Sequence, residues 1–407
     1  MYENLAALAA FIFLYSITSG RLERTPVSGA IVFTAFGLAF GPLGLGLLNL
    51  NVDTEVLRTL AELTLAMVLF TDAATADLGV LRHSIRFPRR LLLFGLPLTI
   101  LLGFAAGVVF FNGLSLLEIA ILATMLAPTD AALGKAVVTD ESVPAGIREG
   151  LNVESGLNDG ICVPILFIFL TLAADTGGMA DARLLALKLV AGEIGIGLAA
   201  GLGLTVCGAW LLRHAAGRGW VTETWRQLPV VVLAVTCFSV AQMLGGSGFI
   251  AAFVGGLLFG GITKQHKHAF LLAAEGTGDT LALITWVLFG AAVVGQAIGS
   301  FSWDVLAYAI LSLTLVRMLP VFLVLGGLGL RSDEKLFMGW FGPRGLASIV
   351  FAVIVLNENL PGGKTIAMTV VCTVVLSILL HGLSANSLVA SLAARGRQAT
   401  ARTPSGG

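Results

Sequence analysis

The chain has 407 residues, of which 57% are hydrophobic and only 12% charged, with a mean hydropathy of +0.95. A soluble protein carries about twice that share of charge, so the composition excludes a soluble globular domain and indicates a chain that crosses a bilayer repeatedly. The formal net charge is +0, which argues against a nucleic-acid partner.

The first basic residue is Arg21, so the N-terminal run has no basic flank of the kind a cleaved secretory signal carries. Taking about 20 apolar residues per crossing, about 13 spans are predicted. They lie near 3–19, 27–48, 56–76, 91–111, 117–138, 147–173, 184–212, 228–244, 248–263, 269–298, 304–328, 335–356 and 364–385. Pro and Gly mark most connections, and no soluble stretch is long enough to fold alone. The residues after Ala393 form a short basic tail (394–407) expected to be disordered. The predicted fold class is an all-α polytopic membrane protein. Its 50 glycines suit close helix packing in lipid, with small-residue steps at Gly197/Gly201 and Gly256/Gly260. Cys162, Cys207, Cys237 and Cys372 fall far apart inside apolar runs and read as small core residues, not as disulfides or metal ligands.

Most of the 24 lysines and arginines follow odd-numbered spans or lie in the tail. Among them are Arg82, Arg86, Arg89 and Arg90, then Arg213, Arg218 and Arg226, Lys264 and Lys267, and Arg395, Arg397 and Arg402. The opposite side holds Arg58, Arg183, Lys188 and Lys364. By the positive-inside rule the tail is cytoplasmic and the N-terminus outside; the expected location is the plasma (inner) membrane. An even number of spans would scramble this alternation.

Arg317 and Arg344 lie within spans. Arg344 belongs to Gly339-Trp340-Phe341-Gly342-Pro343-Arg344-Gly345, a helix-breaking stretch in span 12. Span 5 is broken likewise at Ala127-Pro128-Thr129-Asp130. Seven spans separate the two breaks, and an odd offset means opposite topology. This is the pattern of an inverted repeat, spans 1–6 against 8–13 with span 7 as linker. Paired interrupted helices are the sequence pointer to a transport site.

Span 6 carries Glu154-Ser155-Gly156-Leu157-Asn158-Asp159-Gly160 in an otherwise apolar run. A charge at membrane depth costs several kcal/mol, so such residues are functional candidates by default. Residues four apart on a helix are neighbours, so Ser155 lies over Asp159 and Glu154 over Asn158. Carboxylate, hydroxyl and free main-chain carbonyls are hard oxygen ligands suited to an alkali cation, and Thr129 with the broken backbone beside it can supply more. Burial disfavours the anion of a carboxyl group and a nearby cation favours it. A carboxylate poised between these holds either a proton or a metal ion, which is a mechanism of exchange. The pairing expected for Glu154 is with Arg344.

Blander readings stand beside these. Asp130 either contacts the ion or only caps a half-helix. Glu154 and Arg344 form a structural ion pair on the simplest account. Asp72, ending span 3, is either interfacial or part of the ion path, and Glu62 and Glu193 read as packing or cavity residues. His266 and His268 sit in a solvated basic loop, and His83, His214 and His381 show no ligand spacing. Gly276-Thr277-Gly278-Asp279 matches a short string of intramembrane aspartyl proteases, but the Tyr-Asp and Pro-Ala-Leu elements of that family are absent, so no enzyme is expected.

Together these motifs resemble the monovalent cation/proton antiporter family, in its sodium/proton exchanger (NhaP-like, Asn-Asp) branch. The parts that carry the resemblance are the span-5 and span-6 motifs, Arg317 ahead of Leu319-Pro320, and the span-12 stretch. It implies Asp159 as the exchanging carboxylate, a Na⁺ site at Asp159, Ser155 and Thr129, and Asp130 in the broken helix. Glu154 and Asn158 would be held by Arg344. It also implies a homodimer in the lipid bilayer, with a mobile core near 88–175 and 304–390, a role in pH homeostasis, and no cofactor. Two departures are visible: Ala131-Ala132 follow Asp130 where Pro-Val is common, and Asp72 replaces a common Glu. The expected function is exchange of Na⁺ (or Li⁺) for H⁺, electroneutral because Asn158 is uncharged. K⁺/H⁺ exchange on the same scaffold is the alternative, and a cation channel a distant one. Asp72, Glu275 and Arg317 receive no settled role.

Overall fold

The structure, a computed structural model, describes residues 2–22, 25, 27–48, 54–75, 86–130, 133–138, 140–174, 180–222, 224–263 and 267–402. Arg82, His83, Ala131, Ala132, Lys264 and His266 lie outside them. The described residues contain helices and no strands. In chain order they are α1 (Tyr2–Leu22), α2 (Gly29–Phe40), α3 (Thr54–Thr75), α4 (Arg86–Phe110), α5 (Leu116–Met125), α6 (Lys135–Val138), α7 (Ala145–Ala174) and α8 (Ala180–Gly217). There follow α9 (Leu228–Met243), α10 (Gly248–Ile262), α11 (267–297), α12 (Trp303–Val324), α13 (Ser332–Trp340), α14 (Leu346–Asn357) and α15 (Gly363–Arg402). Seven helical stretches are long and apolar enough to cross a membrane, and five more are apolar but shorter. An all-helical architecture is the only open-ended way to satisfy backbone polar groups in lipid. The tail expected to be disordered instead continues α15 as helix to Arg402.

Packing separates the helices into two neighbourhoods. In one, α10 packs on α3, α8 and α9, and α11 on α2 and α3. In the other, α4 packs on α5, α5 on α7, and α12 and α14 on α15. The small-residue steps work as the sequence suggests. Gly197 and Gly201 bring α8 against the backbone of Ser247 and Ala251, and Gly256 and Gly260 bring α10 against that of Phe70 and Ala74. In lipid such close approach, not water exclusion, drives helix association. Of the four free cysteines three are buried, but Cys207 faces outward on α8 and is not a core residue. A cavity of about 250 Å³ is lined by Glu62, Glu193 and Glu358 with Arg58, which bonds Glu62 at 2.7 Å.

Two helices are interrupted, as their prolines require. α5 stops at Met125 and the chain resumes as α6; α13 stops at Trp340 and α14 begins at Leu346. Pro has no N–H, and the residue before it avoids the helical region. The freed backbone groups must find partners, and they find one another. Asp130 N–H donates to Pro343 O at 2.8 Å, Leu346 N–H to Asp130 Oδ2 at 2.9 Å, and the Ser348 hydroxyl to Met125 O at 2.8 Å. The start of α5 is anchored by a capping box in which Glu118, 4% exposed, accepts from Ser115 N–H and also from Gly362 N–H ahead of α15.

Gly345 is the residue that lets the breaks touch. A Cβ there would collide with the Asp130 carboxylate. Gly345→Ala is therefore expected to destabilise the protein by about 1–3 kcal/mol, the usual cost of overpacking. The check is the apparent melting temperature of purified protein in detergent; an unchanged value would mean that the breaks do not meet this closely.

Candidate functional site

Asp130 sits between two helix starts. Its Oδ2 caps α14 through Leu346, and its Oδ1 accepts from Leu133 N–H at 3.2 Å. A carboxylate at helix N-termini is stabilised by the orphan N–H groups and the macrodipole. This geometry is that of the capping reading, and it fixes Thr129 one residue earlier. Thr129, 2% exposed, turns its hydroxyl toward α7, where Oγ1 lies 2.9 Å from Ser155 Oγ and accepts from Asn158 Nδ2 at 2.8 Å.

α7 carries the span-6 motif as an unbroken helix through this point. Asp159 lies one turn beyond Ser155 and is 7% exposed; its Oδ1 has no hydrogen-bond partner among the described residues. Asn158, fully buried, spends its amide N–H on Thr129, and its Oδ1 is also without a partner. An unpartnered buried carboxylate oxygen is costly unless it takes a proton or a cation. With Asn158 taking one lone pair of Thr129 Oγ1, both hydroxyls keep one free when Thr129 donates to Ser155. The donor set is hard oxygen throughout, matched to an alkali cation.

Asp72 reaches the same region from α3. A Cβ on Gly156 would lie 3.3 Å from Asp72 O and 3.6 Å from Asp72 Cβ, so the end of α3 rests on α7 between Ser155 and Asp159. Asp72 is half-buried there.

Glu154 is where the expectation fails. Its partner is Arg317, not Arg344: Nη1 donates to Oε1 at 2.6 Å and Nη2 to Oε2 at 2.7 Å, with both side chains 1% exposed. Arg344 does not hold Asn158 either. Its Nη1 donates to Gly342 O at 2.5 Å, its backbone N–H to Ser377 Oγ at 2.7 Å, and its Nε and Nη2 have no partner among the described residues. The reason is steric and local. α12 kinks at Thr314, which puts Arg317 over the second break, and a Cβ on Gly342 would strike its guanidinium and come within 3.0 Å of Thr129 Cγ2. Arg317 thus stands between the break and α7 and takes the bidentate geometry that suits guanidinium and carboxylate. The sequence offered two intramembrane arginines for one glutamate, and no spacing rule chooses between residues on different helices.

The aspartyl-protease string lies mid-helix in α11, where Asp279 is exposed. Sequence reasoning also passed over Ser348 and Ser377 and found no ligand spacing for His381; all three are buried at the second break. The signal available for them was weak, since single polar residues in apolar helices carry no motif.

The family model for the transmembrane part of sodium/hydrogen exchangers matches residues 7–391. The chain belongs to the sodium/hydrogen exchanger family. That bears out the resemblance read from the motifs, and the family is one of transporters. A K(+)/H(+) antiporter NhaP2 from Shewanella oneidensis is 24% identical over 93% of this chain and 64% of its own. The Na(+)/H(+) antiporter ApNhaP from Aphanothece halophytica is 24% identical over 95% of this chain and 73% of its own. The chain therefore spans less than two thirds of the Shewanella relative. Among solved structures, the sodium proton antiporter MjNhaP1 from Methanocaldococcus jannaschii superposes with a TM-score of 0.75 at 19% identity, covering 93% of this chain and 98% of that one. The exchanger fold is thus shared, and the protein is an integral membrane protein.

Removing one partner of a buried ion pair typically costs about 3–5 kcal/mol. Arg317→Ala is expected to lower thermal stability on that scale, and the double change Arg317→Ala with Glu154→Ala to recover part of it. Thermal melting of the three proteins checks this; equal loss in single and double variants would dissolve the pairing.

Proposed function

We propose that this protein is a secondary active antiporter that exchanges Na⁺ (or Li⁺) for H⁺ by alternating access, with Asp159 binding proton or cation in competition. The observation that carries the reading is the unpartnered, buried Oδ1 of Asp159, one helical turn from the Thr129–Ser155 hydroxyl pair. In this mechanism the cation arrives and takes oxygens from Asp159, Ser155 and Thr129, and the proton leaves the carboxyl group. After reorientation the reverse occurs on the other face. Asp130 and Asn158 hold Thr129 in place; Glu154 and Arg317 fix α7 relative to the breaks; Asp72 lines the approach.

Further parts of the proposal rest on sequence pattern and family. The chain makes thirteen crossings as an inverted repeat about span 7, with a core near 88–175 and 304–390 moving against the remainder in a homodimer. The N-terminus is outside, the tail cytoplasmic, and the membrane the plasma (inner) membrane, where exchange serves pH homeostasis. A second reading is K⁺/H⁺ exchange at the same residues, favoured by the name of the Shewanella relative. Exchange assays with Na⁺, Li⁺ and K⁺ separate the two.

Asp159→Asn is expected to fold and yet to exchange no cation at any pH in proteoliposomes under an imposed pH gradient. Substantial Na⁺/H⁺ exchange by that variant would remove Asp159 from its role. Stoichiometry gives an independent check. With a neutral Asn158 beside Asp159, one proton moves per cation and the cycle carries no net charge. A cycle moving one net charge would gain or lose about 2.3 kcal/mol per 100 mV. With the potential clamped by K⁺ and valinomycin, the Na⁺ reversal point is expected to stay fixed; a shift with voltage would require a second proton carrier.

A further inference from the structure

α15 presents Ser377, His381 and Ser384 to the second helix break, spaced so that they share one face. His381 is 2% exposed. Its Nε2 lies 2.9 Å from Trp340 O, the carbonyl that closes α13, and its Nδ1 lies 3.2 Å from Ser377 Oγ. Ser377 Oγ in turn accepts the backbone N–H of Arg344 at 2.7 Å. The Trp340 indole N–H donates to Ser384 Oγ at 2.9 Å, and the Trp340 and His381 rings are 5.2 Å apart. Both lips of the break, Trp340 before it and Arg344 after it, are therefore held by one helix.

The proton positions follow from donor and acceptor counts. A carbonyl only accepts, and each ring nitrogen faces one at 2.9 Å, Nε2 the Trp340 O and Nδ1 the Ser377 O. Ser377 Oγ receives the Arg344 N–H and has one hydrogen of its own to give, which goes to a bare Nδ1. Each of these carbonyls has a second lone pair beside the one its backbone N–H takes, so it is the Ser377 hydroxyl that places the ring hydrogen on Nε2. Either neutral tautomer sets one bare nitrogen against a carbonyl, but the one with hydrogen on Nδ1 would also leave the Ser377 hydroxyl without this acceptor. A doubly protonated ring would lose the Ser377 hydroxyl and add a cation near Arg344 and Arg317.

We propose that His381, as its neutral Nε2–H tautomer, is a positioning residue for cation exchange. It acts through the second break: Pro343 O receives Asp130 N–H, Asp130 caps α14, and Thr129 follows from Asp130. The proposal rests on the reading of Thr129, Ser155 and Asp159 as the exchange site. Two variants and one spectrum test it. His381→Gln keeps a side-chain N–H long enough to meet Trp340 O, whereas His381→Phe keeps the ring volume with no N–H. Per mole of folded protein, His381→Phe is expected to raise the KM for the cation by about tenfold, the scale of one lost hydrogen bond. His381→Gln is expected to rescue it. A wild-type KM in His381→Phe, or equal impairment in both variants, overturns the proposal. In wild-type protein the ¹⁵N ring signals of His381, assigned by their loss in His381→Gln, are expected to show a protonated Nε2 and a bare Nδ1 at neutral pH. A protonated Nδ1 overturns the proposal even where His381→Phe does not fold. The spectrum does not involve the ion, so a failure of the exchange-site reading, seen as exchange surviving in Asp159→Asn, is told apart from a failure at His381.

Discussion

Backbone hydrogen bonds have no water to fall back on inside a bilayer, and two interrupted helices at the same depth therefore have to complete each other. The reciprocal contact of Asp130 with Pro343 and Leu346 does this. Everything else at the site is registered to it. Thr129 faces α7 because Asp130 is held; Gly345 is bare because the carboxylate occupies the space of a side chain; Arg317 reaches Glu154 across Gly342. An unpaired N–H or carbonyl at such a place would cost several kcal/mol. The contact is thus both the condition for irregular backbone at membrane depth and the device that gathers side-chain oxygens there.

Charge is arranged in two layers around that contact. Glu154 and Arg317 neutralise each other with bidentate geometry, each 1% exposed, so that both carboxylate oxygens are taken. Asp159, one turn further along α7, is left with an oxygen to spare. In the proposed exchange mechanism this contrast gives the two carboxylates on one helix different duties. A carboxylate locked to a guanidinium cannot trade protons for cations without losing a strong partner, whereas one lacking a partner gains by either.

Much of this was legible in the sequence because it depends on local chemistry. Pro128 and Pro343 announce the breaks, and the four-residue step from Ser155 to Asp159 announces a shared helix face. The apolar runs announce the helices. What was not legible depends on tertiary registration. Arg317 and Arg344 are chemically equal candidates for Glu154, and only the kink at Thr314 and the bulk allowed at Gly342 decide between them. Asp130 looked equally suited to ion contact and to capping, and its two backbone donors are visible only in three dimensions. The helical continuation of α15 past Ala393 was masked by basic composition, which reads as solvated tail whether or not it is helical.

That continuation has a mechanical meaning. Forty residues of unbroken α-helix extend about 60 Å, twice the roughly 30 Å thickness of a hydrocarbon core. The same helix grips the second break through Ser377, His381 and Ser384, and further along it Val389 and Leu392 are buried against Phe337 and Met338 of α13. The half-helix before the break is thus splinted along its length to one that outspans the hydrocarbon core. A load placed on the far end of α15 therefore bears first on α13 and, through Trp340, on the crossing of the two half-helices.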